Sequence, residues 1–490
     1  MMALLVAIQY RSGAFTADVA ADNDEPAHAV TCLMVRDYIV QDFPHNPVTY
    51  ARTYYAHYSK VGIGHWPPLF YCCEALWMLL FGRTRVALLL FVALNGALLL
   101  GSIFAEVRRR TSIAAALLSV AMLMMCSAFY PVLLGVRSDL LLALLIFWAT
   151  VHGGEWMHSH SQKSRHRFCA FAALALLVHG RAAVLLFLPF LLLFAFPPRT
   201  PWKWVVAGLV LLLALQLPHV FSVSNPFRLR TAAFDAWMYL LGTERLATWP
   251  AILLALAGSP LVFKNGPTRP FWAAVASLAA AGFIFYVLVP VYWDGRYLLP
   301  TVTAVAVLAG GGVQVLLDAL AKHGSPQRRW LIAAVTVAAV VVIGRAAYFS
   351  PAKPDLGYRK MMANCLLCGH SVGLVAGDAT QEGDLIAEAA LSDPTLSRTM
   401  LRASKVLAKS TWSGYDYRTL YSSPAQVLDY LDRAKVSIIV IHNASTRDDV
   451  SELRSALALS GPNWVSDDRT YAAQKVTVFR RPTQPGAAAH

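Results

Sequence analysis

The stretch "VALLLFVALNGALLLGSIFA" (86–105) contains no charged residue. A helix needs about 20 apolar residues to cross the hydrocarbon core of a bilayer, and this block supplies them. Blocks of the same character recur along the chain, among them "SIAAALLSVAMLMMCSAFYPVLL" (112–134) and "WLIAAVTVAAVVVIG" (330–344). Of the 490 residues 57% are hydrophobic and only 14% are charged. The mean hydropathy of +0.50 is too high for an ordinary soluble enzyme. Apolar blocks of spanning length separated by short polar loops specify a polytopic α-helical membrane protein. About ten spans are expected, at 86–105, 112–134, 138–152, 168–180, 182–196, 203–220, 249–263, 271–290, 297–320 and 330–349. The opening "MMALLVAI" (1–8) has the character of a span but is too short to be one and lacks the marks of a signal peptide. It reads as the tail of a first span that is shortened or begins upstream of this start.

The net charge of +14 does not point to nucleic acid, because the basic residues sit mostly in short loops between spans. Alternate loops carry Arg108, Arg109 and Arg110; Lys163, Arg165 and Arg167; Arg199 and Lys203; Lys264 and Arg269; Lys322, Arg328 and Arg329. By the positive-inside rule these loops face the cytoplasm. The stretches 10–84, 135–138, around 180, 221–248, 291–296 and the tail after residue 350 then face outward. Of seven scattered cysteines only Cys365 and Cys368 form a CxxC, which fits a local disulfide or two thiols at least as well as zinc. No His/Cys/carboxylate cluster has metal-ligand spacing, so no metal is expected.

Charge gathers in the first outward loop. "DNDEPAHAVT" (22–31) places Asp22, Asp24 and Glu25 before Pro26, with Val30, Leu33, Met34 and Tyr38 following at helical spacing. An acid there suits a helix N-cap, and it also suits a rigidly held carboxylate with chemistry to do. Further on, "YYAHYSKVGIGHWPPLFYCCEALWMLLFG" (54–82) brings His57, Lys60 and His65 ahead of a helix whose Leu69, Cys73, Leu76 and Leu80 share a face. Such a helix is expected to lie along the membrane surface. Arg296 with Asp294 in "VYWDGRYLLP" (291–300), Arg137 with Asp139 in "GVRSD", and Arg181 in "VHGRAAVLL" sit at outer span ends. Snorkelling anchors and local ion pairs are the plain reading of these groups; a binding site is the alternative.

The order and spacing of these motifs — a first-loop "DEPAH", a following "PPL" helix and a late "RYLLP" — resemble the C-superfamily (GT-C) glycosyltransferases over about residues 15 to 320. Among these, the protein O-mannosyltransferases and the aminoarabinose transferase of lipid A are most similar. The resemblance implies an enzyme that moves a sugar from a polyprenyl-phosphate carrier to an acceptor hydroxyl, inverting, on the outer face of a bacterial inner membrane. It implies Asp24 as general base, with Glu25 orienting it or binding acceptor. Arg296 is the first choice for the donor phosphate, with Lys60, His65 and Arg181 as further choices. Tyr297, His28, Arg137 and Asp139 are expected to support the site. Partners would be the polyprenyl-phosphate sugar and a lipid, polysaccharide or protein acceptor, with no cofactor beyond the lipid-linked donor. The sequence departs from the aminoarabinose-transferase pattern at Trp66 of "HWPPL", where that pattern has a lysine.

Composition shifts near residue 352. "SVGLVAGD" (371–378) and "VSIIVIHN" (436–443) read as buried strands, 381–392, 423–434 and 448–460 as helices, and 464–482 as a terminal hairpin. The domains expected are therefore 1–350, including the outward loop at about 10–84, an extracytoplasmic α/β domain at 351–482, and a disordered end at 483–490. Two other functions compete with transfer. A transporter or lipid flippase needs ionisable groups near mid-membrane, whereas here they cluster at span ends. A sensor would work through a ligand-binding tail.

Overall fold

The computed structural model describes residues 1–19, 22–62, 64–196, 248–288, 294–321, 327–363, 371–410 and 418–482. The expected span 203–220, the Cys365/Cys368 pair and the tail end 483–490 lie outside the described residues. The chain forms two compact units. One comprises Met1–Ser12, Trp66–Phe70 and Leu90–Pro351; the other comprises Gly13–His65, Tyr71–Leu89 and Ala352–His490. Most of the stretch 10–84 thus groups with the tail.

The first unit is helical, as its apolar blocks require. Among the described residues five helices are long and apolar enough to cross a membrane: Arg85–Arg110, Asp139–Ser159, Arg269–Tyr286, Gly295–Leu320 and Arg329–Tyr348. Other expected spans are broken. The block 112–134 gives Ile113–Met125 and Phe129–Leu134. Pro131 explains the break, since its ring excludes the carbonyl four residues earlier and it has no N–H to give. The block 249–263 divides at Ser259–Pro260 into Trp249–Gly258 and Pro260–Phe263 for the same reason. The expected spans 168–180 and 182–196 become helix Gln162–Val178, a 3₁₀ turn Gly180–Leu186 and helix Leu188–Ala195.

Close packing in this unit depends on "AGGGV" (309–313) in helix Leu299–Ala321. A β-carbon on Gly312 would collide with the Leu254 carbonyl, and one on Gly258 with the Leu308 carbonyl. Helices Trp249–Gly258 and Leu299–Ala321 therefore meet backbone to backbone. On another side, a β-carbon on Gly310 would meet Ser119 and the Ala115 carbonyl, so helix Ile113–Met125 approaches as closely. Small residues make such contacts the strongest available in lipid, where burying apolar surface gains nothing.

The second unit contains a five-stranded sheet in the order Thr399–Arg402, Val372–Ala376, Ile438–His442, Val476–Arg480, Val465–Ser466. The first three strands are parallel and Val476–Arg480 is antiparallel to both its neighbours. Leu374, Ile439, Ile441, Leu431, Val450 and Leu453 fill its core. Helices Ala379–Ser392, Pro424–Arg433 and Asp448–Leu459 flank the sheet. Asp378 opens the first of them with a capping box, its carboxylate accepting from the N–H groups of Thr380 (2.9 Å) and Gln381 (2.8 Å).

The stretch 13–65 folds onto this α/β core. Its helix Glu25–Gln41 buries Val30, Leu33 and Met34, as the spacing predicts. Asp37 accepts a two-pronged ion pair from Arg83, whose guanidinium also donates to the Ala390 and Leu391 carbonyls at 2.9 Å. The Tyr58 hydroxyl donates to Asp393 at 2.6 Å. Helix Leu69–Phe81 buries Phe70, Tyr71, Glu74 and Met78 and exposes Leu76, Leu79, Leu80 and Phe81, an apolar outer face suited to a membrane surface.

Replacing Gly312 by alanine is expected to destabilise the protein by more than the ~1–3 kcal/mol of ordinary overpacking, because the obstructing atom is backbone. Fluorescence-detected size exclusion of the detergent-extracted variant should show reduced monodisperse yield, whereas Gly344→Ala, where no atom obstructs, should match the wild type.

Candidate functional site

Two 3₁₀ turns and the start of a span build a cationic cavity in the first unit. Asp294 caps the turn Gly295–Leu298, accepting from the Arg296 N–H at 3.2 Å, and its other oxygen receives the Arg296 Nε at 2.9 Å. The same side chain thus shapes the turn and aims the guanidinium. Arg296 is 7% exposed and donates from Nη2 to the Tyr297 hydroxyl at 3.2 Å. The Tyr286 hydroxyl in turn donates to the Tyr297 carbonyl at 2.6 Å. In the other turn, Gly180–Leu186, the His179 Nδ1 accepts the Arg181 N–H at 3.1 Å. That places the Arg181 guanidinium over the Tyr297 ring. Asp139, at the N-terminus of helix Asp139–Ser159, completes the polar lining, and Leu142, Val184 and Leu299 form apolar wall. Two guanidiniums and an apolar wall are the groups a phosphate monoester on a hydrocarbon chain needs, set around a space of about 10 Å³ that must widen to admit one.

Four residues singled out from sequence, Asp139, Arg181, Arg296 and Tyr297, therefore come together here. Arg137 is 3% exposed and is not among the residues lining this cavity.

In the second unit the acids of the opening loop divide their work. Asp22 makes the helix cap, its Oδ1 accepting from the N–H groups of Asp24 (2.9 Å) and Glu25 (3.0 Å). The Asp24 side chain takes no part in the cap. The capping role assigned to Asp24 or Glu25 on sequence passes to their neighbour, and Asp24 stands at the helix entrance, where its carboxylate faces Lys60. Glu25 is fully buried and ion-paired with Lys353. His28, one turn on, is hydrogen bonded through Nδ1 to the Tyr71 hydroxyl at 2.8 Å and stacks on that ring.

Lys60 is 2% exposed and points at helix Ala379–Ser392, donating to the Ala379 carbonyl at 3.4 Å. Gly383 makes room for it, since a β-carbon there would lie 2.8 Å from Lys60 Cε and 3.3 Å from Pro26. Burial, reinforced by the Arg402 charge, pushes the Lys60 ammonium down to about 7. Burial and the nearby Glu25 push the Asp384 carboxyl up. His65 is exposed on a turn. Of the second-choice phosphate ligands, Arg181 lines the cationic cavity and Lys60 lies in a buried network.

Residues 65–221 match the sequence model of the dolichyl-phosphate-mannose-protein mannosyltransferase family. No curated protein sequence matches the chain. Among solved structures, ArnT from Cupriavidus metallidurans in the apo state aligns with a TM-score of 0.58, covering 98% of this chain and 99% of that one at 14% identity. The same protein bound to undecaprenyl phosphate aligns with a TM-score of 0.58 at 15% identity, covering 98% of each. The Archaeoglobus fulgidus oligosaccharyltransferase tethered with an acceptor peptide gives a TM-score of 0.52 at 12% identity, covering 96% of this chain and 73% of that one. The chain has the GT-C glycosyltransferase fold.

That fold holds several residues that sequence reasoning passed over. Tyr286 lines the cavity, yet it reads as one more aromatic in an apolar span. Lys353 and Asp384 join the network around Glu25 from the far side of the chain. The one signal for Lys353 was a lone cation between prolines in "SPAKPD" (350–355).

A lysine whose folded value lies below its unfolded 10.5 releases its proton on folding between about 7 and 10.5, so it makes the fold more stable as pH rises through that window. The thermal midpoint of wild-type protein is expected to climb over this range relative to Lys60→Met. Parallel midpoint-versus-pH curves for the two proteins would refute this account of Lys60.

Proposed function

We propose that the protein is a polyprenyl-phosphate-sugar-dependent glycosyltransferase of the outer face of a bacterial inner membrane. The observation that carries this reading is the cavity in which Arg181 and Arg296 flank Tyr297. It presents fixed cations where a lipid phosphate would develop charge. The fold adds support: one solved structure of the similar ArnT is bound to undecaprenyl phosphate. The Lys/Arg loop pattern supports the outward assignment of this span end.

In the reaction, the acceptor hydroxyl gives its proton to the Asp24 carboxylate as its oxygen attacks the anomeric carbon. The bond from that carbon to the phosphate oxygen breaks in the same displacement, which inverts the configuration. The electron pair leaves on polyprenyl phosphate, and Arg296 and Arg181 stabilise its growing charge. Asp294 holds Arg296 at its station. Asp139 and Tyr297 line the same cavity and position the headgroup. Glu25 supports Asp24 rather than contacting substrate, since it is buried and paired.

Membranes expressing wild type or variants, supplied with polyprenyl-phosphate sugars labelled in the headgroup, test this reading. Label should leave the carrier with wild type. Asp24→Asn should slow transfer by ~100-fold or more, the usual share of a general base. Arg296→Ala should cost a similar factor, and Arg296→Lys should recover part of it, because lysine keeps the charge and loses the two-pronged geometry. Unchanged transfer in Asp24→Asn at equal expression would refute the assignment of the base.

A further inference from the structure

Glu25 follows Asp24 directly and has no exposed surface. Its partner comes from the segment after the last described span, where Lys353 Nζ bonds Glu25 Oε1 with its side chain 1% exposed. Lys353 is itself held tightly. Pro354 follows it, and a few residues later the buried Asp18 accepts three backbone N–H groups, from Leu356 (2.9 Å), Tyr358 (3.0 Å) and Arg359 (2.9 Å). Asp18 belongs to the first loop, so a second contact stitches loop and tail segment just beyond the ion pair. Helix Ala379–Ser392 closes over the pair, touching the loop helix at Pro26 through Gly383. Its Asp384 faces Glu25, Lys60, Asp18 and Lys353, and its Glu382 is held by Arg402 and Arg447.

We propose that Lys353 is a positioning residue: its buried ion pair with Glu25 fixes the helix turn that carries Asp24 and cancels the negative charge that would otherwise stand beside that base. The proposal rests on Asp24 acting as the base. Its physics is that of a buried pair losing one member. Without Lys353, Glu25 is left charged in a dry setting. While charged, it stands next in sequence to Asp24, which Lys60 and Tyr71 also face, and a like charge disfavours the ionised base. A base that holds its proton to higher pH loses activity sooner as the medium is acidified. A purely architectural lysine would lower activity equally at every pH.

The test is the pH profile of kcat/KM for the full-length protein in membranes, using the labelled undecaprenyl-phosphate sugar that the wild type turns over. Lys353→Met should move the acid limb upward, with a loss of 10-fold or more at pH 6 and a smaller loss at pH 8, and should reduce kcat more than it raises KM. Lys353→Arg should keep the wild-type limb. The double variant Glu25→Gln/Lys353→Met removes both charges and should bring the limb back. A pH-independent loss in Lys353→Met, or a double variant as shifted as the single one, would overturn the proposal. If Lys353→Met alone fails to fold, the double variant carries the test, since it leaves no unpaired charge. A wild-type limb in Lys353→Met, with Asp24→Asn inactive, would sink the positioning role and spare the base. Transfer that survives Asp24→Asn would remove the base and this proposal with it.

Discussion

Charge is costly in hydrocarbon, and the architecture of this chain follows from that constraint. Over most of the spans no charged side chain is tolerated, so ionisable groups collect at helix ends and in the first loop. There they meet one another. Arg296 and Arg181 reach the same cavity because each is the first place after an apolar run where a guanidinium can stand. Both lie on short 3₁₀ turns whose caps, Asp294 and His179, fix the backbone before the span continues. A cap two positions before the arginine gives a rigid cation at no cost in helix length.

The same economy governs the loop acids. Capping a helix and forming a buried ion pair make different demands on a carboxylate, and this chain assigns them to different residues. Asp22 accepts the N–H groups of Asp24 and Glu25, Glu25 is paired with Lys353, and Asp24 stands between them at the entrance of the helix. The buried ionic contacts in this unit carry a stability risk, because each charge depends on its partner. What they secure is a fixed arrangement of the loop on the α/β core.

Much of this was legible in the sequence, for reasons that can be named. The fold class followed from uninterrupted apolar blocks, whose reading needs no partner. The α/β tail followed from "GLVAG" and "IIVIH", runs too short and too β-branched for helices. Arg296, Arg181, Asp139 and Tyr297 were visible as charge or aromatic at span ends, and the structure gathers them. The strand Thr399–Arg402 was missed because four residues containing two polar side chains carry no alternation to read; its Arg402 is buried only because Glu382 receives it. Lys60 stands out in sequence as a lysine in a loop, and sequence cannot show Gly383 opening a space for it far along the chain. Trp66, where the aminoarabinose-transferase pattern has lysine, is consistent with a donor phosphate met by the arginines.

The most direct measurement of the central claim is a cryo-EM map of the protein in lipid nanodiscs with undecaprenyl phosphate added. The account predicts phosphate density in contact with the guanidiniums of Arg181 and Arg296, with the prenyl chain leaving along the apolar wall of Leu142, Val184 and Leu299. Phosphate density seated elsewhere, with that cavity empty at saturating lipid, would contradict it.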